Sequence, residues 1–165
     1  MTTRWLDSDQ QRAWRAYLLG TTLLMERLDR DLRDKHGLSL PEYEILVRLS
    51  EAPHRALRMA ELADSVRYSR SRITHTIARM EREGMVERSS CASDGRGVFA
   101  IMTAAGYDVL VTAAPDHVES VRRGLVDTIS PNDMVAVGRA FSQVIASLET
   151  GAPDPLLSPR STAPV

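Results

Sequence analysis

Between Val66 and Arg79 the chain reads VRYSRSRITHTIAR, a stretch holding Arg67, Arg70, Arg72 and Arg79 and no acidic residue. Four arginines and no carboxylate give this segment a formal charge of +4, whereas the whole chain of 165 residues carries −1. A guanidinium is a planar fork that donates two parallel hydrogen bonds to a phosphate or to the edge of a guanine. The hydroxyls of Ser69, Ser71 and Thr74 and the ring of His75 add donors and acceptors that suit base edges and backbone oxygens. A near-neutral chain has no global footprint for a polyanion, so any such surface must be local.

Side-chain spacing predicts how these groups are presented. Ser69 is placed to cap a helix over 69–83 whose Ile73, Ile77 and Met80 fall on one side at i, i+4 and i+7. The opposite face then shows Ser71, His75, Ala78 and Arg82 at its centre, with Arg72, Thr74 and Arg79 on its flanks. Arg70 leads the first turn, where free amides also favour an anion. Ahead of it, Met59 to Val66 is expected as a short helix, with a tight turn at Arg67 and Tyr68. Gly84 ends the later helix in a left-handed cap. Met85–Ser90 and Gly97–Met102 then form a predicted hairpin around Cys91-Ala92-Ser93-Asp94-Gly95-Arg96, which contains an Asp-Gly turn signal. Helix, turn, helix and hairpin in this order describe a winged helix-turn-helix over 39–102, in which the second helix enters a DNA major groove.

Longer helices flank this unit. Residues 10–36 carry Trp14, Leu18, Thr21, Met25, Leu28 and Leu32 at alternating steps of four and three. Gly37 stops that helix, and Ser39-Leu40-Pro41-Glu42 is a capping box opening a helix to about Ser50. Pro53 and a basic connector, 54–58, follow. Thr103 caps a helix expected to reach Asp127 and to bend at Pro115. Ser130-Pro131-Asn132-Asp133 caps another, striped by Met134, Val137, Phe141, Val144 and Leu148. The fold class is mainly α with a small β-hairpin wing. The stripes on 10–36 and 103–149 are more apolar surface than the compact motif can cover, so they call for a partner surface. Residues 150–165 hold four prolines and are expected to be a disordered tail.

Five stretches in succession carry a family resemblance: Met59-Ala60-Glu61-Leu62-Ala63, Ser69-Arg70-Ser71-Arg72-Ile73-Thr74, Met80 to Arg88, Asp94-Gly95-Arg96-Gly97, and Met102-Thr103-Ala104-Ala105-Gly106. Together they resemble the MarR family of transcriptional regulators. The resemblance implies an intertwined homodimer, built from helices 10–36 and 103–149 of both chains, that binds a pseudo-palindromic double-stranded DNA operator, usually as a repressor. It also implies that Asp94 orients Arg96 at the wing tip and that Arg96 enters the minor groove. Family members commonly release DNA on binding a small, often phenolic, effector between the dimer helices and the winged motif. Trp14, Arg15, Leu18, Tyr43 and His117 are the candidate lining residues here.

Other chemistries find less support. Cys91 is the only cysteine, so no intramolecular disulfide forms and a cytoplasmic setting is expected. A redox sensor acting through Cys91, or a winged-helix module that binds protein instead of DNA, are the alternative readings. His36, His54, His75 and His117 show no metal-ligand spacing, and no phosphate-binding glycine loop or nucleophile elbow occurs. No metal, cofactor, enzymatic activity or membrane partner is expected.

Overall fold

Asp7 opens the first helix. Its Oδ1 accepts from Asp9 N at 3.0 Å and Gln10 N at 2.8 Å, while Gln10 Oε1 takes the Asp7 amide at 3.1 Å. This box starts α1 (Ser8–His36) two residues ahead of the predicted position. In the computed structural model the described residues are 2–90 and 97–149. Cys91, Asp94 and Arg96 of the predicted wing tip lie outside them, as does the 150–165 tail.

Gly37, at φ 65°, closes α1, and α2 (Leu40–Glu51) follows. The stretch expected as a basic connector is a turn, Pro53–Arg55, and a strand, β1 (Ala56–Arg58). Next come α3 (Met59–Ser65), α4 (Arg70–Arg82), β2 (Val86–Ser90), β3 (Val98–Met102), α5 (Ala104–Val121) and α6 (Pro131–Leu148). The sheet has the order β1-β3-β2, antiparallel throughout, with Leu57 opposite Ala100 and Arg88 opposite Ala100 on the other side. The wing is therefore a hairpin with a third strand, which anchors the root of β3 to the front of α3. Pro115 lies inside α5, and the irregular, widened turn comes later, at Arg122–Val126.

The core gathers Leu32 and Leu38, then Ile45, Leu46 and Leu49 of α2, Leu62 of α3, Ile73, Ile77 and Met80 of α4, Val86 of β2 and Leu110 of α5. One junction holds the wing to α5. Thr103 Oγ1 donates to the Gly84 carbonyl at 2.7 Å and accepts from Gly106 N at 3.0 Å. No residue of α6 is buried within the chain. Val135, Val137, Phe141, Val144 and Leu148 on α6 stand exposed, as do Trp14, Tyr17, Leu18, Leu19 and Leu23 on α1. Among the described residues no helix is long and apolar enough to cross a membrane.

Candidate functional site

Ser69 is in extended backbone, and its Oγ accepts from Arg72 N at 3.2 Å, which fixes the start of α4. Ile73, Ile77 and Met80 seat the helix on the core, so Ser71, Arg72, Thr74 and His75 are turned outward together and are all exposed. Arg70 and Arg82 are exposed at its two ends, and the small Ala78 leaves the centre of the face low. The turn before α4 is rigid. Arg67 takes a left-handed φ of 55°, Tyr68 N donates to the Ala63 carbonyl at 3.0 Å, and Tyr68 Oη donates to Glu44 Oε2 at 2.6 Å. Burial, reinforced by that bond, pushes the Tyr68 hydroxyl up to about 12, so it stays protonated. The Arg72 guanidinium lies 3.8 Å from the centre of the Tyr68 ring, which holds its donors toward solvent.

Beside this face, a groove of about 300 Å³ runs between α4 and the wing root, lined by Arg58, Met59, Arg70, Thr74 and Val98 among others. The wing root is tied to α4 by Arg88, whose Nε donates to Glu81 Oε2 at 2.8 Å and whose amide donates to Glu81 Oε1 at 3.2 Å. Glu81 is the first acid after the basic stretch, and it is spent on this bond.

Arg79 departs from the expected arrangement. The wheel put it on the flank of the outward face, but its side chain turns to α2 and pairs with Glu42. The reason is a carboxylate 37 residues away that helical periodicity cannot see.

A second concavity, about 420 Å³, lies where α1, α2, the α3 end and α5 meet; Met25, Leu28, Tyr43, Val47, Arg48, Arg67 and His117 are among its walls. The rings of Tyr43 and His117 stand 4.3 Å apart, and His117 Nδ1 is buried without a hydrogen-bond partner among the described residues. Burial raises the Tyr43 hydroxyl and lowers the His117 ring from its ordinary value. Trp14, Arg15 and Leu18 are not brought to this crevice. They lie on the exposed stretch of α1, where Trp14 stacks on Tyr17 at 5.7 Å and Tyr17 meets Phe141 of α6 in a tilted contact at 5.3 Å. The helix advances about 1.5 Å per residue, so the seven residues from Leu18 to Met25 set the two regions about 10 Å apart. Met25 and Leu28, one turn apart on the same stripe, are among the lining residues that sequence reasoning passed over, as are Val47, Arg48 and Arg67.

A model of the MarR family matches residues 36–97, the stretch that holds α2 through β2 and stops just before β3. The crystal structure of AbsC, a MarR family transcriptional regulator from Streptomyces coelicolor, is 41% identical with a TM-score of 0.83, covering 88% of this chain and 98% of AbsC. The chain belongs to the MarR family. Sco3205, a MarR family regulator from the same organism solved in complex with DNA, is also 41% identical; its TM-score is 0.87, with 91% of this chain and 94% of Sco3205 covered. PecS, a transcriptional regulator of Dickeya dadantii, is 28% identical over 112 residues, which make up 67% of this chain. The match spans 64% of PecS, just under two thirds of that relative. This MarR-family chain is thus a winged helix-turn-helix protein whose relatives regulate transcription.

Proposed function

We propose that this protein is a homodimeric, sequence-specific regulator that binds double-stranded DNA in the cytoplasm, with α4 in the major groove. The observation that carries the reading is the face of α4: Ser71, Arg72, Thr74 and His75 exposed together and free of acids, over a seat of Ile73, Ile77 and Met80. Such a face offers phosphate and base-edge contacts from one rigid element. The likeness to Sco3205, solved in complex with DNA, supports it.

In this reading 39–102 is the DNA-binding unit and 10–36 with 103–149 the dimerisation region. The exposed apolar residues of α1 and α6 meet the same residues of a second copy, since a patch this large on a soluble surface marks an interface. A two-fold dimer sets its recognition helices about 34 Å apart and calls for a pseudo-palindromic operator. Arg96, oriented by Asp94, reads the width of the minor groove. Occupancy of a promoter makes the protein a repressor. A small phenolic-type effector enters the crevice between Tyr43 and His117, where an aromatic ring finds stacking and a hydroxyl meets the unpartnered His117 Nδ1.

Selection of duplexes from a random-sequence library by the purified protein tests the reading. Enriched duplexes should carry two inverted half-sites about one helical turn, 10 base pairs, between centres. Recovery of unenriched sequence, or of single half-sites, contradicts it. Transcription in vitro from a promoter bearing the enriched duplex should fall on adding the protein.

A further inference from the structure

Glu42 has no exposed surface, and it is the partner of an arginine on α4. Its Oε1 accepts from Arg79 Nε at 2.5 Å, and its Oε2 is paired with an Arg79 terminal nitrogen. The same Oε2 accepts from Ser39 N at 2.9 Å and Ser39 Oγ at 2.6 Å, so this carboxylate is also the capping group of α2. Arg79 reaches Ser39 Oγ as well, at 3.4 Å. One residue further along α2, the Leu40 amide donates at 2.9 Å to Asp29 on α1, which in turn holds Arg33 at 2.6 Å. Polar contacts therefore run from α1 through the start of α2 to the last turn of α4.

We infer that the Glu42–Arg79 pair is a positioning device: it sets the angle of the outward face of α4 against α2 and α1, and Arg79 makes no contact with DNA. The inference rests on the DNA-binding reading above. Its grounds are geometric. Arg79 follows Arg72 by two turns of α4, so an unpaired Arg79 would extend the outward row, yet its Nε and one terminal nitrogen are engaged from the α2 side, and Glu83 of the same helix stands 3.8 Å from the Nε. A buried carboxylate facing a guanidinium tolerates little change of angle, because both oxygens are already committed and neither can turn to water. Burial alone would push the Glu42 carboxyl up; the hydrogen bonds from Arg79 and Ser39 outweigh it and hold the group below its ordinary value, ionised and paired.

The test uses the duplex that wild-type protein enriches best and a random-sequence duplex of equal length, with full-length Glu42→Gln, Arg79→Met and the double variant. Gln can keep the capping box through its amide oxygen, while its NH2 takes the place of the oxygen that accepts from Arg79, so the charge and the acceptor of the pair are lost together. Each single variant should bind the enriched duplex about tenfold more weakly, and the double variant no worse than either, since one interaction is lost in all three. Affinity for the random duplex and the slope of log affinity against log salt should stay at wild-type values. A drop for both duplexes and a slope flatter by about 1 in Arg79→Met, with Glu42→Gln silent, overturns the inference and makes Arg79 a phosphate contact. Full recovery of the enriched-duplex affinity well below the melting temperatures also overturns it, because the pair would then only stabilise the fold. A wild-type protein that enriches nothing sinks the DNA reading and this inference together, before any variant is made.

Discussion

The Met85 carbonyl faces Gly106 so closely that a Cβ on Gly106 would stand 2.1 Å from its oxygen. That carbonyl also accepts from Thr103 N at 3.1 Å, and Thr103 bridges the Gly84 carbonyl and the Gly106 amide. Thr103 and Gly106 are therefore the hinge pin between the wing and α5, which explains why both stand in the Met102-Thr103-Ala104-Ala105-Gly106 stretch. Gly106→Ala must displace backbone instead of a flexible side chain. Its cost should be about 3 kcal/mol or more, read from the midpoint of urea unfolding. An unfolding curve superimposable on the wild type would show that α5 does not sit against Met85 as described.

Stability should fall on mild acidification, and His117 should account for part of the fall. Burial lowers its pKa from 6.5, so below that value the unfolded chain takes up a proton that the folded chain refuses. Protons bound preferentially by the unfolded state make stability rise with pH, so it is lost as the pH drops from about 6.5 toward the folded value. Urea midpoints compared at neutral pH and about one unit below 6.5 should show a smaller difference in His117→Phe than in the wild type. Equal differences in the two proteins would remove His117 from the explanation.

Local signals made much of this fold legible. Ser39, Ser69, Thr103 and Ser130 all stand at helix starts, and Gly37 and Gly84 have the left-handed φ that helix ends require. What escaped is what long-range contact decides. β1 has only three residues, too few for an alternating pattern, and exists because β3 pairs with it at a sequence separation of 43 between Leu57 and Ala100. The outward set on α4 followed from period alone, apart from Arg79, whose direction depends on Glu42. The five candidate lining residues do not share one place. Tyr43 and His117 meet in the crevice, but Trp14, Arg15 and Leu18 share a stripe with Met25 and Leu28 without sharing their place along the helix.

Disrupting the apolar stripe should leave folded monomers. Phe141→Asp places a charge beside Tyr17, on a surface that is exposed in the single chain and covered in the proposed dimer. Sedimentation velocity at micromolar concentration should give a dimer for the wild type and a monomer for the variant, with helical content retained by circular dichroism. A wild-type monomer would contradict the dimer outright.

Contacts of different kinds should respond differently to mutation. Ser71→Ala and His75→Ala should alter which bases are preferred, at about 1–3 kcal/mol per lost base contact. Arg96→Ala should weaken binding to every sequence, leave the dimer intact and flatten the salt slope by about 1. Repeating the duplex selection with each variant checks this; if Ser71→Ala and His75→Ala both enrich the wild-type sequence unchanged, α4 is not the reading element.

The central claim, that α4 reads DNA sequence, is tested most directly by one competition titration. The enriched duplex and a scrambled duplex of the same composition are each titrated with purified protein at two salt concentrations in excess competitor DNA. The account predicts a preference of about a thousandfold or more for the enriched duplex, persisting at the higher salt. Equal affinities for the two duplexes, both collapsing as salt rises, would leave only phosphate attraction and contradict it.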